Sequence, residues 1–265
     1  MGETGTVSDT VQYTDHHAPE GLTVRGTVLV VPGRGESAAT YQRLGRRLAA
    51  DAYHVRVVPP PDLAAGPLDV ALDGFGAALA AAAETAGPAG PARPLAVLGA
   101  DTGALATAAL LAGVRPPAEL RPEAVVLAGL PGRAGTTAPA GGWEEELDLR
   151  TACPTHRRTL TEDADVRRGA LGAPVPEALL AAVYDGAPDV PALLLAGDAD
   201  PLADQDALGR WAAELPRARF SVVRGGHHDV LNDVQHRSVA AEIVTFLETV
   251  RDGLVPVVTV ASSTW

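Results

Sequence analysis

The sequence contains no lysine: all 21 of its basic residues are arginine. Isoleucine occurs once, as Ile243, and asparagine once, as Asn232. Such gaps match the codon bias of a high-GC genome, so the missing lysines need no functional explanation. A single cysteine, Cys153, excludes an intramolecular disulfide and any cysteine-based zinc cage. Aromatics make up only 4% of the 265 residues, so the core must be aliphatic, built from Ala, Val and Leu. Positive charge is also scarce. A net charge of −12 disfavours nucleic acid and anionic membrane, both polyanions, and leaves a small organic substrate as the expected partner. The opening MGETGTVSDT has neither a basic nor an apolar stretch, so no secretory signal is expected. The most apolar helical run, residues 71–86, is too short to span a bilayer and is interrupted by Asp73 and Gly74. The missing signal and membrane span predict a cytoplasmic protein.

What is present is a regular alternation. Hydrophobic residues form 46% of the chain and charged residues 20%, which suits one soluble globular domain spanning 1–265. Apolar runs at 26–32, 53–59, 94–99, 124–130, 190–197 and 219–223 predict strands. Stretches of helical pattern separate them, at 37–50, 68–85, 101–113, 205–215 and 236–250. Strand-helix alternation of this kind predicts an α/β fold: a mostly parallel central sheet flanked by helices. Between residues 133 and 186 the pattern breaks. That segment is richer in charge, lacks a clear strand and predicts a lid inserted between two sheet strands, closed by a helix at 176–184. The tail, 254–260, is β-prone and is expected to add an edge strand or a contact between copies in a homo-oligomer.

Three motifs carry chemistry. Gly99-Ala100-Asp101-Thr102-Gly103 lies between a strand and an Ala-rich helix and matches the G-x-nucleophile-x-G elbow, with aspartate in the nucleophile slot. The turn is so tight that small residues are needed on both flanks. The strand at 192–196 runs into Gly197-Asp198-Ala199-Asp200-Pro201, where an acid that orients a histidine belongs. The strand ending at Val223 runs into Arg224-Gly-Gly-His227-His228-Asp229-Val-Leu-Asn232-Asp233, where the histidine belongs. Nucleophile, acid, histidine is the chain order of α/β-hydrolases rather than of chymotrypsin or subtilisin.

On these residues, together with Val31-Pro-Gly-Arg34-Gly-Glu-Ser37, the chain resembles the α/β-hydrolase superfamily, near its lysophospholipase and monoglyceride-lipase-like branch. The resemblance covers roughly residues 22–250. It implies Asp200 as the acid and His228 as the base, with Asp198 and His227 as neighbouring alternatives. It also implies an oxyanion hole made by the backbone N–H groups of Arg34 and Thr102. An enzyme centred on Asp101, His228 and Asp200 is expected to need no cofactor. One departure is Pro32, where the branch usually has histidine.

Aspartate changes the chemistry. It is ionised at neutral pH, but its attack on an ester carbonyl would give a reactive anhydride. Attack on an sp³ carbon gives an ordinary alkyl ester, which water activated by His228 and oriented by Asp200 can release. Dehalogenases and epoxide hydrolases of the superfamily work this way. Their hallmarks are incomplete here: Thr102 follows the aspartate where dehalogenases carry tryptophan, and the lid has only Tyr184 where epoxide hydrolases use two tyrosines. A carbon–oxygen lyase that eliminates a carboxylate such as acetate, as in tetronate biosynthesis in bacterial specialised metabolism, uses the same three residues. A third reading is a binding protein in which Asp101 merely caps a helix. Trp143 and Tyr184 are candidate pocket residues, against a plain role in packing the lid. Glu144 to Glu146 read as a solvated helix start, Cys153 and His156 as packing, and His16-His17 as an exposed turn.

Overall fold

The computed structural model describes residues 12–64, 66–113, 120–134 and 141–263. The signal-peptide expectation for the first residues, and residues 135–140 of the expected lid, lie outside that range.

Six strands run parallel: β2 (Gly26–Val31), β3 (Tyr53–Val57), β4 (Leu95–Ala100), β5 (Ala124–Ala128), β6 (Ala192–Gly197) and β7 (Ala218–Val223). A seventh, β1 (Thr14–His16), adds antiparallel to β3, giving the order β1-β3-β2-β4-β5-β6-β7. The central strands β2, β4, β5 and β6 read as nearly continuous apolar runs because both faces are covered. Leu29, Val31, Leu95, Val97, Val125, Leu127 and Leu194 face one core layer, against α2 (Leu68–Glu84), α3 (Asp101–Ala112), α6 (Glu177–Tyr184) and α7 (Gln205–Glu214). Val28, Val30, Leu98, Val126, Leu193 and Leu195 face the other, against α1 (Gln42–Ala50) and α8 (His236–Arg251). The period-2 alternation of strand side chains sorts residues between the layers.

Topology places the site. The chain moves from β2 outward to β3, then crosses back to β4 on the other side of β2, and continues through β5, β6 and β7. Direction therefore reverses between β2 and β4, and such a switch point leaves a crevice at the carboxyl ends of the strands. The register pairs Val31 with Gly99, so the loop after β2 and the elbow after β4 emerge level and side by side.

Two parts of the fold differ from the sequence reading. His16 and His17 are not a free turn. Gly45 on α1 lets the His16 ring lie where a Cβ would meet its Cδ2 at 2.2 Å, and the His17 ring stacks on His54. The tail forms no strand, and Val257, Val258 and Val260 are 70–81% exposed. It pairs with neither edge strand, β1 nor β7, and leaves α8 through an exposed turn. Among the described residues, no helix is long and apolar enough to cross a membrane.

The lid region is helical, with α4 (Trp143–Arg150) and α5 (Pro154–Glu162) preceding α6. It holds a small core of its own, Leu147, Leu160 and Val166 with Trp143. The last helix belongs to the body instead: α6 packs on α3, and its Leu179, Leu180 and Val183 join the main core.

Candidate active site

Asp101 begins α3 with a φ of +47°, the strained left-handed backbone that a nucleophile elbow imposes on a residue other than glycine. The flanking glycines are required by contact. A Cβ on Gly99 would sit 2.6 Å from Ala104 Cα, and one on Gly103 would sit 2.4 Å from the Pro32 carbonyl oxygen. The turn presses the helix start against the end of β2, and the carboxylate emerges beneath the loop that carries Arg34.

Behind it stands His228. Its Nδ1–H donates to Asp200 Oδ2 at 2.9 Å, while its Nε2 lies 3.3 Å from Asp101 Oδ1. That second approach is an ion-pair distance without hydrogen-bond alignment, so Nε2 has no hydrogen-bond partner among the described residues. Asp200 is fixed in turn by the Leu202 N–H on its other oxygen, at 2.9 Å. The alternatives lie elsewhere. Asp198 accepts from the Gly225 N–H, and His227 is partly exposed and tied to Asp233 at 2.9 Å.

Arg34 grips the Asp101 carboxylate. Its Nε donates to Asp101 Oδ2 and its Nη2 to Oδ1, both at 2.8 Å, a forked pairing of guanidinium and carboxylate. The Arg34 backbone N–H, assigned by resemblance to an oxyanion hole, also donates to Asp101 Oδ2 at 2.8 Å. Arg34 Nη1 reaches the lid, donating to the carbonyls of Leu171 at 3.0 Å and Ala173 at 2.6 Å. The side chain thus bolts the lid to the nucleophile position. Burial alone would raise the Asp101 carboxyl, but His228 and Arg34 outweigh it and hold it well below the usual range. Burial would likewise lower His228, yet the charges of Asp200 and Asp101 push it up to about 10. At neutral pH the resting centre is therefore a carboxylate between two cations.

A second buried network, which the sequence motifs did not reveal, supports this one. Arg150, on α4 and only 1% exposed, pairs with Glu146 at 2.9 Å and with Asp229 at 3.3 Å, and donates to the Arg34 carbonyl at 2.7 Å. Asp229 also holds His156 at 2.9 Å. Glu146 is therefore not part of a solvated helix start: it is buried and also accepts from the Leu171 N–H at 3.2 Å. From the same lid segment, the Leu149 carbonyl accepts from the His228 N–H at 3.2 Å and the Arg150 carbonyl from the Asp229 N–H at 2.9 Å. Removing one member of such a buried ionic set costs about 3–5 kcal/mol, because its partner is left uncompensated. The lid is stitched to the loops that carry Arg34 and His228.

Among the described residues, two spaces adjoin the centre. One, of about 10 Å³, is bounded by Glu36, Tyr41, Asp101, His228, Asp229 and Asn232. Two buried polar atoms without hydrogen-bond partners among the described residues, His228 Nε2 and Asn232 Oδ1, belong to residues on its wall. It has the size and polarity to seat one water. The other is an open cavity of about 790 Å³ between the loop after β2, residues 60–64 and the lid, and Arg34 and Thr102 form its inner wall. The two candidate pocket aromatics lie outside both. Trp143 packs within the lid core and donates to Thr161 at 3.2 Å, while Tyr184 packs on Trp211 and donates to the Pro131 carbonyl at 2.8 Å. Each indole or phenol is drawn to an apolar cluster with a hydrogen-bond acceptor beside it, which is what an aromatic with a polar tip needs.

Glu36 gives the site a pH signature. Its Oε2 accepts from the Gly33 N–H at 2.7 Å and from the Tyr41 hydroxyl. Burial, with the charge of Asp229 second, pushes its carboxyl up to about 7. The folded protein therefore keeps a proton that the unfolded chain releases, and stability falls as pH rises from the unfolded value toward 7. His228 acts in the same direction higher up: its contribution is full below its unfolded pKa and is lost as pH rises through about 10. Thermal melts from pH 4.5 to 7 should show Glu36→Gln losing this acid-side slope, gaining roughly 5 °C over the wild type at pH 7 relative to pH 4.5. Parallel profiles for the two proteins would show that Glu36 is ionised throughout.

No family model matches the chain, and no curated protein matches it by sequence. Solved structures do match it in shape. The Paleococcus ferrophilus monoacylglycerol lipase superposes with a TM-score of 0.63 at 17% identity, over 91% of this chain and 99% of that one. A soluble variant of the Saccharomyces cerevisiae monoglyceride lipase gives 0.68 at 14%, over 90% and 91%. A lipase-esterase related protein from Clostridium acetobutylicum gives 0.63 at 14%, over 89% and 99%. Identity this low speaks for architecture alone. With its seven-stranded, mostly parallel sheet flanked by helices, the chain has the α/β-hydrolase fold.

Proposed function

We propose that this protein is a cofactor-independent enzyme of small-molecule metabolism in which Asp101 attacks an sp³ carbon of an alkyl-type substrate and His228, oriented by Asp200, drives hydrolysis of the resulting ester. One observation carries the reading: the elbow presents Asp101 within 3.3 Å of His228 Nε2, whose opposite nitrogen is held by Asp200 at 2.9 Å. A helix cap alone has no need of a histidine and a second carboxylate aligned behind it.

The charge balance supports two steps. In the first, an Asp101 oxygen forms a bond to the substrate carbon and the leaving group departs with the bonding pair. Asp101 is then a neutral ester, so one of the two charges that hold His228 up has gone. The imidazolium can release its proton to the leaving group and become the base. In the second step a water attacks the Asp101 carbonyl carbon and gives a proton to His228, and the alkyl–oxygen fragment leaves as an alcohol. The 10 Å³ space beside Asp101, His228 and Asn232 is where that water would sit.

A second reading, elimination of a carboxylate by a carbon–oxygen lyase, has one observation in its favour: the fork of Arg34 already holds a carboxylate, as it would hold a leaving one. Here Asp101 or His228 removes a carbon-bound proton, a double bond forms, and the carbon–oxygen pair departs with the carboxylate.

Heavy-oxygen water separates the two. A panel of small alkyl esters, epoxides and O-acylated hydroxy acids would identify a compound that is turned over. A single turnover of it should leave one solvent oxygen in the peptide containing Asp101, read by mass spectrometry. An unlabelled Asp101 during productive turnover, with a slowing when the substrate carbon carries deuterium, would replace hydrolysis by elimination.

A further inference from the structure

The structure assigns a carboxylate-bearing substrate to the 790 Å³ cavity: we propose that the substrate's anionic group takes the Arg34 guanidinium from Asp101 and thereby frees the nucleophile. The inference rests on the reading of Asp101 as the reacting carboxylate and adds the substrate's charge to it.

The resting centre cannot react as it stands. Both Asp101 oxygens accept from the Arg34 side chain at 2.8 Å, and Oδ2 takes the Arg34 backbone N–H as well. A carboxylate with its lone pairs committed in this way is a poor nucleophile, so Arg34 has to release it. A neutral substrate gives Arg34 nothing in return. The guanidinium would be left as an uncompensated charge in a position only 8% exposed, which is strongly unfavourable. A substrate carboxylate matches the geometry of the one displaced, since guanidinium binds either through the same fork. Exchange of one carboxylate for another conserves the ion pair.

The surroundings fit such a group. Arg34 and Thr102 form the inner wall of the cavity, so an anion bound to Arg34 lies next to the elbow. A second cation, Arg167, lines the same cavity from the lid, is exposed and has no ion-pair partner among the described residues. Its backbone N–H is fixed on the Gly35 carbonyl at 2.9 Å, which holds it beside the Arg34 loop. The acidic groups around the cavity are Glu36, Asp62 and Asp165. Glu36 is buried on Gly33 and Tyr41 with its carboxyl pushed up to about 7. Asp62 and Asp165 are exposed, where water and salt screen them. Arg34 is thus the buried positive charge that a ligand in the cavity meets.

Calorimetry with monomethyl glutarate and dimethyl glutarate, at pH 7 and fixed ionic strength, tests the exchange without requiring turnover. These probes share a skeleton and differ by one carboxylate. Wild type should bind the monoanion at least tenfold more tightly than the diester, Arg34→Gln should abolish the preference, and Arg167→Gln should reduce it severalfold with unchanged melting. The exchange has a further signature: Asp101→Asn, which removes the competing carboxylate, should bind the monoanion more tightly than wild type does. Equal affinity for both probes in the wild type, or a preference that survives in Arg34→Gln, would overturn the assignment. Weaker monoanion binding by Asp101→Asn than by wild type would overturn the exchange. If Arg34→Gln does not fold, the wild-type comparison and the Arg167 variant decide. Heavy-oxygen labelling of Asp101 is scored separately, so failure of the nucleophile reading is distinguishable from failure of this one.

Discussion

Asp101→Asn is expected to lower turnover by roughly 10⁴-fold or more, because the variant keeps the shape of the side chain and removes the charge that attacks. The protein should remain folded. The elbow is set by Gly99 and Gly103, whose close contacts with Ala104 and Pro32 do not involve the carboxylate. Stability should nevertheless fall, since Arg34 loses the charge that both its donors address. His228 should titrate at a lower pH than in the wild type, with one of its two flanking charges gone. Circular dichroism, a thermal melt and an activity assay on protein checked by mass spectrometry for deamidation at position 101 would measure all of this. Full activity in the undeamidated variant would remove Asp101 from the chemistry.

His228→Ala should reduce turnover by roughly 10³-fold or more, and His227→Ala by less than about tenfold. The two histidines are adjacent in sequence but differ in every relevant contact. His228 is buried between Asp200 and Asp101, while His227 is partly exposed and held by Asp233 on the far side of the loop. Under the hydrolytic reading His228→Ala has a second consequence. The first step survives and the second lacks its base, so an adduct should build up on Asp101 and be visible as a mass increase of the intact protein. A larger loss in His227→Ala than in His228→Ala would show that the wrong imidazole has been placed at the centre.

The motifs at the ends of β4, β6 and β7 were legible because each is local. A run of aliphatic residues followed within five positions by glycines and a polar residue states both the strand and the sharp turn that ends it. Since parallel strands of one sheet end at the same edge, three such turns converge without further information. The same locality explains the success with β2 to β7 and the major helices, whose boundaries moved by only a few residues. It also explains what failed. β1 has three residues and no pattern of its own, and it exists because β3 offers an edge and Arg56 an ion-pair partner for Asp15 at 2.7 Å. The tail has the composition of a strand but pairs with neither edge of the sheet.

Sequence by itself determined the α/β architecture, the elbow with aspartate at its tip, and the chain order of acid and histidine, all written in short-range spacing. Tertiary structure alone decided which way Arg34 turns, since its partners Asp101, Leu171 and Ala173 stand 67, 137 and 139 residues away. It also buried Arg150 beside Asp229, 79 residues distant, and drew Tyr184 and Trp143 away from the cavity. Composition cannot encode these choices, because an arginine or a tyrosine in a loop is equally suited to water. Only the carboxylates and carbonyls that the fold brings within hydrogen-bond reach make burial the better outcome.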